Sequence, residues 1–213
     1  MTNKPRIQNI VFDWSGTLSS DMMPVYETVM KVFAHFGVGR ISFDEFRDTY
    51  TLPYTIHARM FGIAASREEL DRVFAEHFRN AGFPEPIPGA EKVLQQLKSS
   101  GKRMIVLSSH RQHFLAEEAA RFFKGNHYVY FEKIFGDVHN KVAEIGNVLR
   151  QMNFAAAETL IVGDTGHDIA AGHEAGIFTA GVLSGYKSRK HLEEAKPHFI
   201  VNDVRELLKL GIF

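Results

Sequence analysis

Apolar residues run along this chain in short, nearly unbroken blocks, and between the blocks they recur every three or four positions. The blocks Ile7–Phe12, Arg103–Leu107, Tyr128–Phe135, Thr159–Val162, Ile177–Leu183 and His198–Val201 predict strands. Helical spacing predicts a helix over Ala90–Ser99 that stops on Gly101 and another over Arg111–Lys124 that stops on Gly125. Lys141–Met152, Asp168–Ala175 and Val204–Leu210 supply three more. Strands that are apolar at nearly every position are covered on both faces, and their alternation with helices makes them parallel. The expected fold class is α/β, a doubly wound, mostly parallel, Rossmann-like sheet flanked by helices.

Residues 19–85 break this alternation. Asp21 can cap a helix running through Pro24 to Phe36, and Ser42-Phe-Asp-Glu45 and Ser66-Arg-Glu-Glu69 each match a capping box. Phe33, Phe36, Phe74 and Phe78 fall at helical spacing and are assigned to a local core. The stretch Phe83–Gly89, FPEPIPG, carries three prolines and suits a stiff hinge. The expected organisation is therefore a core domain of 1–18 and 86–213, with an all-helical domain, 19–85, inserted after the first strand.

Composition narrows the partners. With 213 residues, 45% of them hydrophobic, the chain can bury a core of this size. Twenty-five Lys and Arg balance 25 Asp and Glu, so neither nucleic acid nor an anionic membrane is an expected partner. The lack of cysteine removes disulfides and thiolate metal sites. No apolar run approaches the ~20 residues of a membrane span, the first residues show no cleavable apolar leader, and the expected location is cytoplasmic. Oligomeric state is not legible in the sequence.

In open parallel sheets, sites form beyond the carboxyl ends of the strands, near the point where strand order reverses. The first strand ends in Asp13-Trp-Ser-Gly-Thr17, the second in Ser108-Ser-His110, and Thr159–Val162 leads into Gly163-Asp-Thr-Gly-His-Asp168. Lys141 opens the helix that follows the strand end near Phe135–Asp137. Each of these residues alone reads equally well as a helix cap or a solvated side chain. Their conjunction places three acids, hydroxyls and one lysine at one crevice.

Four motifs in this order resemble the haloacid dehalogenase superfamily, whose members mostly move phosphoryl groups. Asp13-Trp-Ser-Gly-Thr17 is similar to its first motif, Asp-x-Asp-Gly-Thr; Ser108 matches the second, Lys141 the third, and Gly163, Asp164 and Asp168 the fourth. The helical insert sits where the phosphoglycolate-phosphatase-like branch carries its cap. The resemblance implies a phosphatase of small phosphorylated metabolites with Asp13 as nucleophile. It implies Mg2+ held by Asp13, Asp164, Asp168 and the backbone carbonyl of Ser15, because two anions meeting in a partly dry site need a compensating cation. Gly16, Thr17, Ser108, Ser109 and His110 would surround the phosphate, and Lys141 would neutralise it.

Ser15 departs from the motif, since phosphatases of the superfamily carry an aspartate there as general acid and base. A hydroxyl performs neither task well near neutral pH, so leaving groups stable as anions are expected to be favoured unless His110 or His167 substitutes. Two alternatives stay open: a phospho-ligand-binding or regulatory protein with little turnover, and a phosphonatase-like C–P hydrolase. The latter shares the Asp-Trp-x-Gly-Thr opening but needs a Schiff-base lysine, and the insert contains only Lys31. Metal-free dehalogenation is disfavoured by the paired acids Asp164 and Asp168. Thr51–His57 is expected to be the insert's substrate-facing loop, with Arg47, Tyr54, His57 and Arg59 selecting the substrate. His110 and His113 have a zinc-like spacing but no evident third ligand.

Overall fold

The computed structural model describes residues 5–51, 54–78, 83–125 and 127–213. The chain forms two compact units, Met1–Ser20 with Glu85–Phe213, and Asp21–Pro84. It opens with β1 (Asn9–Phe12) and the two-residue β2 (Ser19–Ser20), then passes through α1 (Met22–His35), α2 (Phe43–Thr49), α3 (Tyr54–Met60) and α4 (Arg67–Phe78) before returning through β3 (Glu85–Pro86). The second half alternates: α5 (Ala90–Ser99), β4 (Arg103–Leu107), α6 (Gln112–Phe122), β5 (Lys133–Phe135), α7 (Lys141–Met152) and β6 (Thr159–Gly163). It continues through α8 (Gly166–Glu174), β7 (Phe178–Val182), α9 (Arg189–Glu194) and β8 (Phe199–Val201), and ends in a 3-10 helix, Val204–Lys209.

The main sheet has the order β5-β4-β1-β6-β7-β8, with every pairing parallel. Its period-two burial explains the unbroken apolar runs. Ile10, Phe12, Met104, Val106, Leu160 and Val162 pack on one side against Val93, Leu94 and Leu97 of α5 and Leu115 and Ala119 of α6. Val11, Ile105, Leu107 and Ile161 pack on the other side against Ile145, Val148 and Leu149 of α7 and Ala171 of α8. Each large apolar side chain of these contributes about 1.5–3 kcal/mol by leaving water, so exchanging any of them for a polar one carries a cost of that order. Because β1 lies between β4 and β6, with Phe12 level with both Val106 and Val162, the residue after β1 stands at the reversal of strand order.

Several elements differ from expectation. Only Lys133–Phe135 of the predicted strand Tyr128–Phe135 pairs with β4; His127–Val129 is a 3-10 turn and Tyr128 is 71% exposed. This is the sheet edge, where a strand has one neighbour and no second ladder to extend it. The hinge also does more than stiffen: Glu85–Pro86 pairs antiparallel with Ser19–Ser20, placing both segments with the core unit. A proline, which cannot donate to a ladder, is tolerated in such a two-stranded ribbon. Val204–Lys209 is a 3-10 helix, not an α-helix.

In the helical unit, Ser42 Oγ accepts from the Glu45 amide at 3.1 Å and Ser66 Oγ from the Glu69 amide at 3.2 Å, which is the serine half of each expected capping box, while Asp21 precedes α1 without a side-chain cap bond. Tyr54–Met60 is helical where a loop was expected over Thr51–His57; Leu52 and Pro53 lie outside the described residues. His57 is buried, not substrate-facing. Its ring stacks on Phe33 at 5.5 Å among Phe46, Tyr50 and Phe61, and Nε2 lies 3.2 Å from Thr49 Oγ1. Among the described residues no helix is long and apolar enough to cross a membrane.

Candidate active site

Asp13 follows β1, and its backbone amide donates to the Val162 carbonyl at 2.8 Å, extending the ladder to the first residue of the site. Asp164 follows β6, and Asp168 sits in the first turn of α8. One carboxylate oxygen from each of the three lies within 4.8 Å of the others, and all three residues are buried. Lys141, the first residue of α7, places Nζ 2.7 Å from Asp13 Oδ1 and 2.6 Å from Asp168 Oδ1. A lysine at a helix N-terminus opposes the helix dipole. Here that local cost is outweighed by two carboxylates, and Asn140 takes over the capping by accepting from the Ala143 amide.

Asp168 divides its two oxygens between a helix cap and the neighbouring lysine. Oδ2 accepts from the Thr165 amide and hydroxyl at 3.2 and 2.7 Å, closing a capping box on α8, and Oδ1 accepts from Lys141.

The turn after Asp13 is drawn tightly around Asp164. Gly16 has φ +70°, and a Cβ there would stand 2.6 Å from Asp164 Oδ2. A Cβ on Gly185 would fall on the same carboxylate. Only glycine fits either place, the first for conformation and space, the second for space. The Tyr186 amide donates to Asp164 Oδ2, and Ser184 Oγ donates to the Gly16 carbonyl at 2.7 Å, so the segment after β7 completes the cradle. Ser15 is half-buried within the turn. Ser108 is buried at the end of β4, accepting from the His110 amide at 3.2 Å, and Ser109 and His110 are half-buried beyond it.

Three carboxylates and one ammonium leave a surplus of negative charge. Burial raises the Asp13 carboxyl above its ordinary range; Asp168 adds to this and Lys141 offsets only part. Asp164 is pushed well above the ordinary range by burial and then by Asp13 and Asp168. Burial disfavours the Lys141 ammonium, yet Asp13 and Asp168 outweigh it and hold that group above its usual range. Asp164 Oδ1 and Thr17 Oγ1 are buried with no hydrogen-bond partner among the described residues. Since buried polar atoms are rarely left unpaired, both are made for something further. An all-oxygen donor set with surplus charge fits a small hard cation such as Mg2+.

His167 is half-buried beside Asp168 and Lys141, and burial pushes its imidazole below the usual range, which favours the neutral ring. Lys31 is exposed on α1. The His113 ring lies tilted against Phe114 at 3.9 Å, and among the described residues the three-aspartate group is the only cluster with metal-ligating geometry. Sequence reasoning passed over Ser184-Gly185-Tyr186, although it follows a predicted strand end. It also passed over Glu118, which shares the apolar stripe of α6 with Leu115 and Phe122; a carboxylate on such a stripe is a signal.

Residues 10–182 match the model of the haloacid dehalogenase-like hydrolases. The chain is 25% identical over 215 residues to pyrophosphatase PpaX of Bacillus mycoides, covering 96% of this chain and 97% of that one. It is 25% identical over 209 residues to a 5'-nucleotidase of Pseudomonas aeruginosa, covering 95% and 94% respectively. Its fold superposes on a haloacid dehalogenase-like family hydrolase from Streptococcus pneumoniae with a TM-score of 0.80 at 20% identity, over 95% of this chain and 97% of that chain. With its motifs at the strand ends of this sheet, the chain belongs to the haloacid dehalogenase-like hydrolase family.

Proposed function

We propose that this chain is a Mg2+-dependent phosphatase of small phosphorylated molecules, working through a covalent aspartyl-phosphate at Asp13. The observation that carries the reading is the convergence of Asp13, Asp164, Asp168 and Lys141 within hydrogen-bond and ligand distance of one another. Asp13, Asp164, Asp168 and the Ser15 carbonyl would hold Mg2+, which would supply the positive charge that lets a carboxylate and a phosphate meet.

The Asp13 carboxylate attacks phosphorus while the bond to the leaving oxygen breaks, and water then hydrolyses the aspartyl-phosphate to inorganic phosphate and free Asp13. Lys141 orients Asp13 through Oδ1 and offsets charge on the transferring group. Ser108 donates to a phosphoryl oxygen, whereas the Gly16 and Thr17 amides, expected from the sequence to do the same, are given to the Ser19 and Trp14 carbonyls and hold the turn closed instead. The Ser15 hydroxyl is too weak an acid to protonate a leaving oxygen near neutral pH, so the Asp13 site suits leaving groups stable as anions; pyrophosphate, which the name of the Bacillus mycoides relative points to, is one such candidate substrate.

The test is phosphate release from a panel of phosphate monoesters and pyrophosphate, with Mg2+ and with chelator, for the parent and Asp13→Asn. Release by the parent that vanishes with chelator and in the variant is expected. A parent that releases phosphate from nothing in the panel, or an Asp13→Asn variant working at the parent rate, overturns the reading.

A further inference from the structure

We propose that Glu118 is a positioning residue for the nucleophile: its buried carboxylate on α6 holds the Trp14 indole and, through it, the turn that presents Asp13. The inference rests on the phosphatase reading above and deepens it. Glu118 is 5% exposed and lies on the side of α6 that carries the buried Leu115 and Ala119. A carboxylate in such surroundings costs stability unless donors meet its oxygens, and an apolar side chain of similar volume packs there as well or better. What the carboxylate adds is direction. Oε2 accepts from Trp14 Nε1 at 2.7 Å, with Ser19 Oγ at 3.5 Å, and Oε1 lies 3.0 Å from His110 Nε2.

One helix holds Trp14 from two directions. Glu118 takes the indole N–H, and Phe122, one turn further along α6, stacks on the ring at 5.2 Å and 17°. A stack sets the plane of a ring but lets it slip within that plane, and the hydrogen bond at Nε1 removes this remaining freedom. The backbone of the same residue is the pivot of the turn: the Trp14 carbonyl accepts from the Thr17, Leu18 and Ser19 amides at 3.2, 2.8 and 2.9 Å. Trp14 is bonded to Asp13 on one side and to Ser15 on the other. The nucleophile and the carbonyl proposed to face Mg2+ therefore take their directions from a residue that α6 grips.

The carboxylate also reaches a second strand-end loop. His110, beside its other oxygen, gives its backbone amide to Ser108 Oγ. Glu118 thus ties the loop after β1, which carries the nucleophile, to the loop after β4, which carries Ser108. A buried indole needs an acceptor, and a backbone carbonyl or a hydroxyl on α6 would satisfy that need alone; a side chain with two oxygens, one for each loop, sets the two relative to each other. A displacement of the attacking group by about 1 Å is enough to cost about 10²-fold in rate.

The test is kcat and KM, with Mg2+, for the member of the panel above that the parent hydrolyses fastest, measured beside thermal unfolding. The variants are Glu118→Met, Glu118→Gln, Trp14→Phe and the double variant Trp14→Phe/Glu118→Met. Glu118→Met is expected to fold and to lower kcat by about 10–100-fold with KM moved less than about threefold, because the substrate still binds while the nucleophile is misdirected. Glu118→Gln keeps an oxygen for the indole N–H and is expected to recover kcat to within about fivefold of the parent. Trp14→Phe keeps a ring for Phe122 and loses the donor; its kcat falls as in Glu118→Met, and the double variant falls no further than the slower single one, since both changes remove one interaction. A folded Glu118→Met variant with kcat within about threefold of the parent, a Glu118→Gln variant no faster than Glu118→Met, or losses that multiply in the double variant each overturn this proposal and leave the phosphatase reading standing. If Glu118→Met does not fold, Trp14→Phe decides, and a kcat within about threefold of the parent overturns the proposal equally. A parent that releases phosphate from nothing in the panel overturns both.

Discussion

Asp164→Asn makes the metal-free protein more stable and the metal-loaded protein less so, because the site is built with more negative charge than its own lysine can balance. Asp164 faces Asp13 and Asp168 with ligand oxygens within 4.8 Å. At an effective dielectric of about 20, two like charges at that separation repel by about 3 kcal/mol, giving about 6–7 kcal/mol for the two pairs. The Asp164 carboxyl, pushed well above its ordinary range, escapes part of this repulsion by holding a proton, and Lys141, the smallest of the influences on it, offsets a little more, leaving roughly 3 kcal/mol to be recovered by removing the Asp164 charge. Asparagine keeps an oxygen for the Tyr186 amide and turns a donor toward the neighbouring carboxylates. In a chain of this length each kcal/mol moves Tm by about 2–4 °C, so the metal-free variant melts roughly 6–12 °C above the parent. In the parent, Mg2+ at a hundred times its Kd returns about 2.7 kcal/mol, or roughly 5–11 °C; in the variant most of this response is gone, together with most of the turnover. The assay is thermal unfolding followed by fluorescence of buried Trp14, in chelator and in Mg2+. A variant less stable than the parent in chelator, or equal Mg2+ shifts in both proteins, refutes the reasoning.

Gly185→Ala sets a Cβ on the Asp164 carboxylate and must displace it; Mg2+ affinity read by calorimetry is expected to fall about 10–100-fold, and an unchanged affinity refutes the cradle. Ser15→Asp restores a general acid and is expected to raise the rate on an alkyl phosphate by up to ~10²–10⁴ while an aryl phosphate gains much less; equal gains on the two esters count against the reading of Ser15. Asp203 accepts from the Arg205 side chain and amide, which hold its carboxyl below the ordinary range, so its contribution is present above the unfolded value and lost as pH falls through the folded one. Asp203→Ala is therefore expected to lower Tm by roughly 2–4 °C near neutral pH, about the worth of one cap, with the gap closing below about pH 4; a gap that widens in acid contradicts the sign.

Much of the fold was legible because the information is local. Period-two and period-3.6 spacing report which faces are buried, and Ser42 and Ser66 cap their helices through atoms three residues away. Asp13, Ser108 and Asp164 could be placed at neighbouring strand ends without knowing any contact, because a parallel sheet brings strand ends together whatever lies between them. The tertiary structure decided what depends on a partner far along the chain. Lys141 meets Asp13 across 128 positions and Trp14 meets Glu118 across 104. The edge of the sheet cut the strand ending at Phe135 to three residues, and an aromatic cluster drew His57 into the helical core instead of leaving it for a substrate. A side chain's type states what bonds it can make, whereas burial and the choice of partner follow from the packing of segments whose sequences carry no mark of one another.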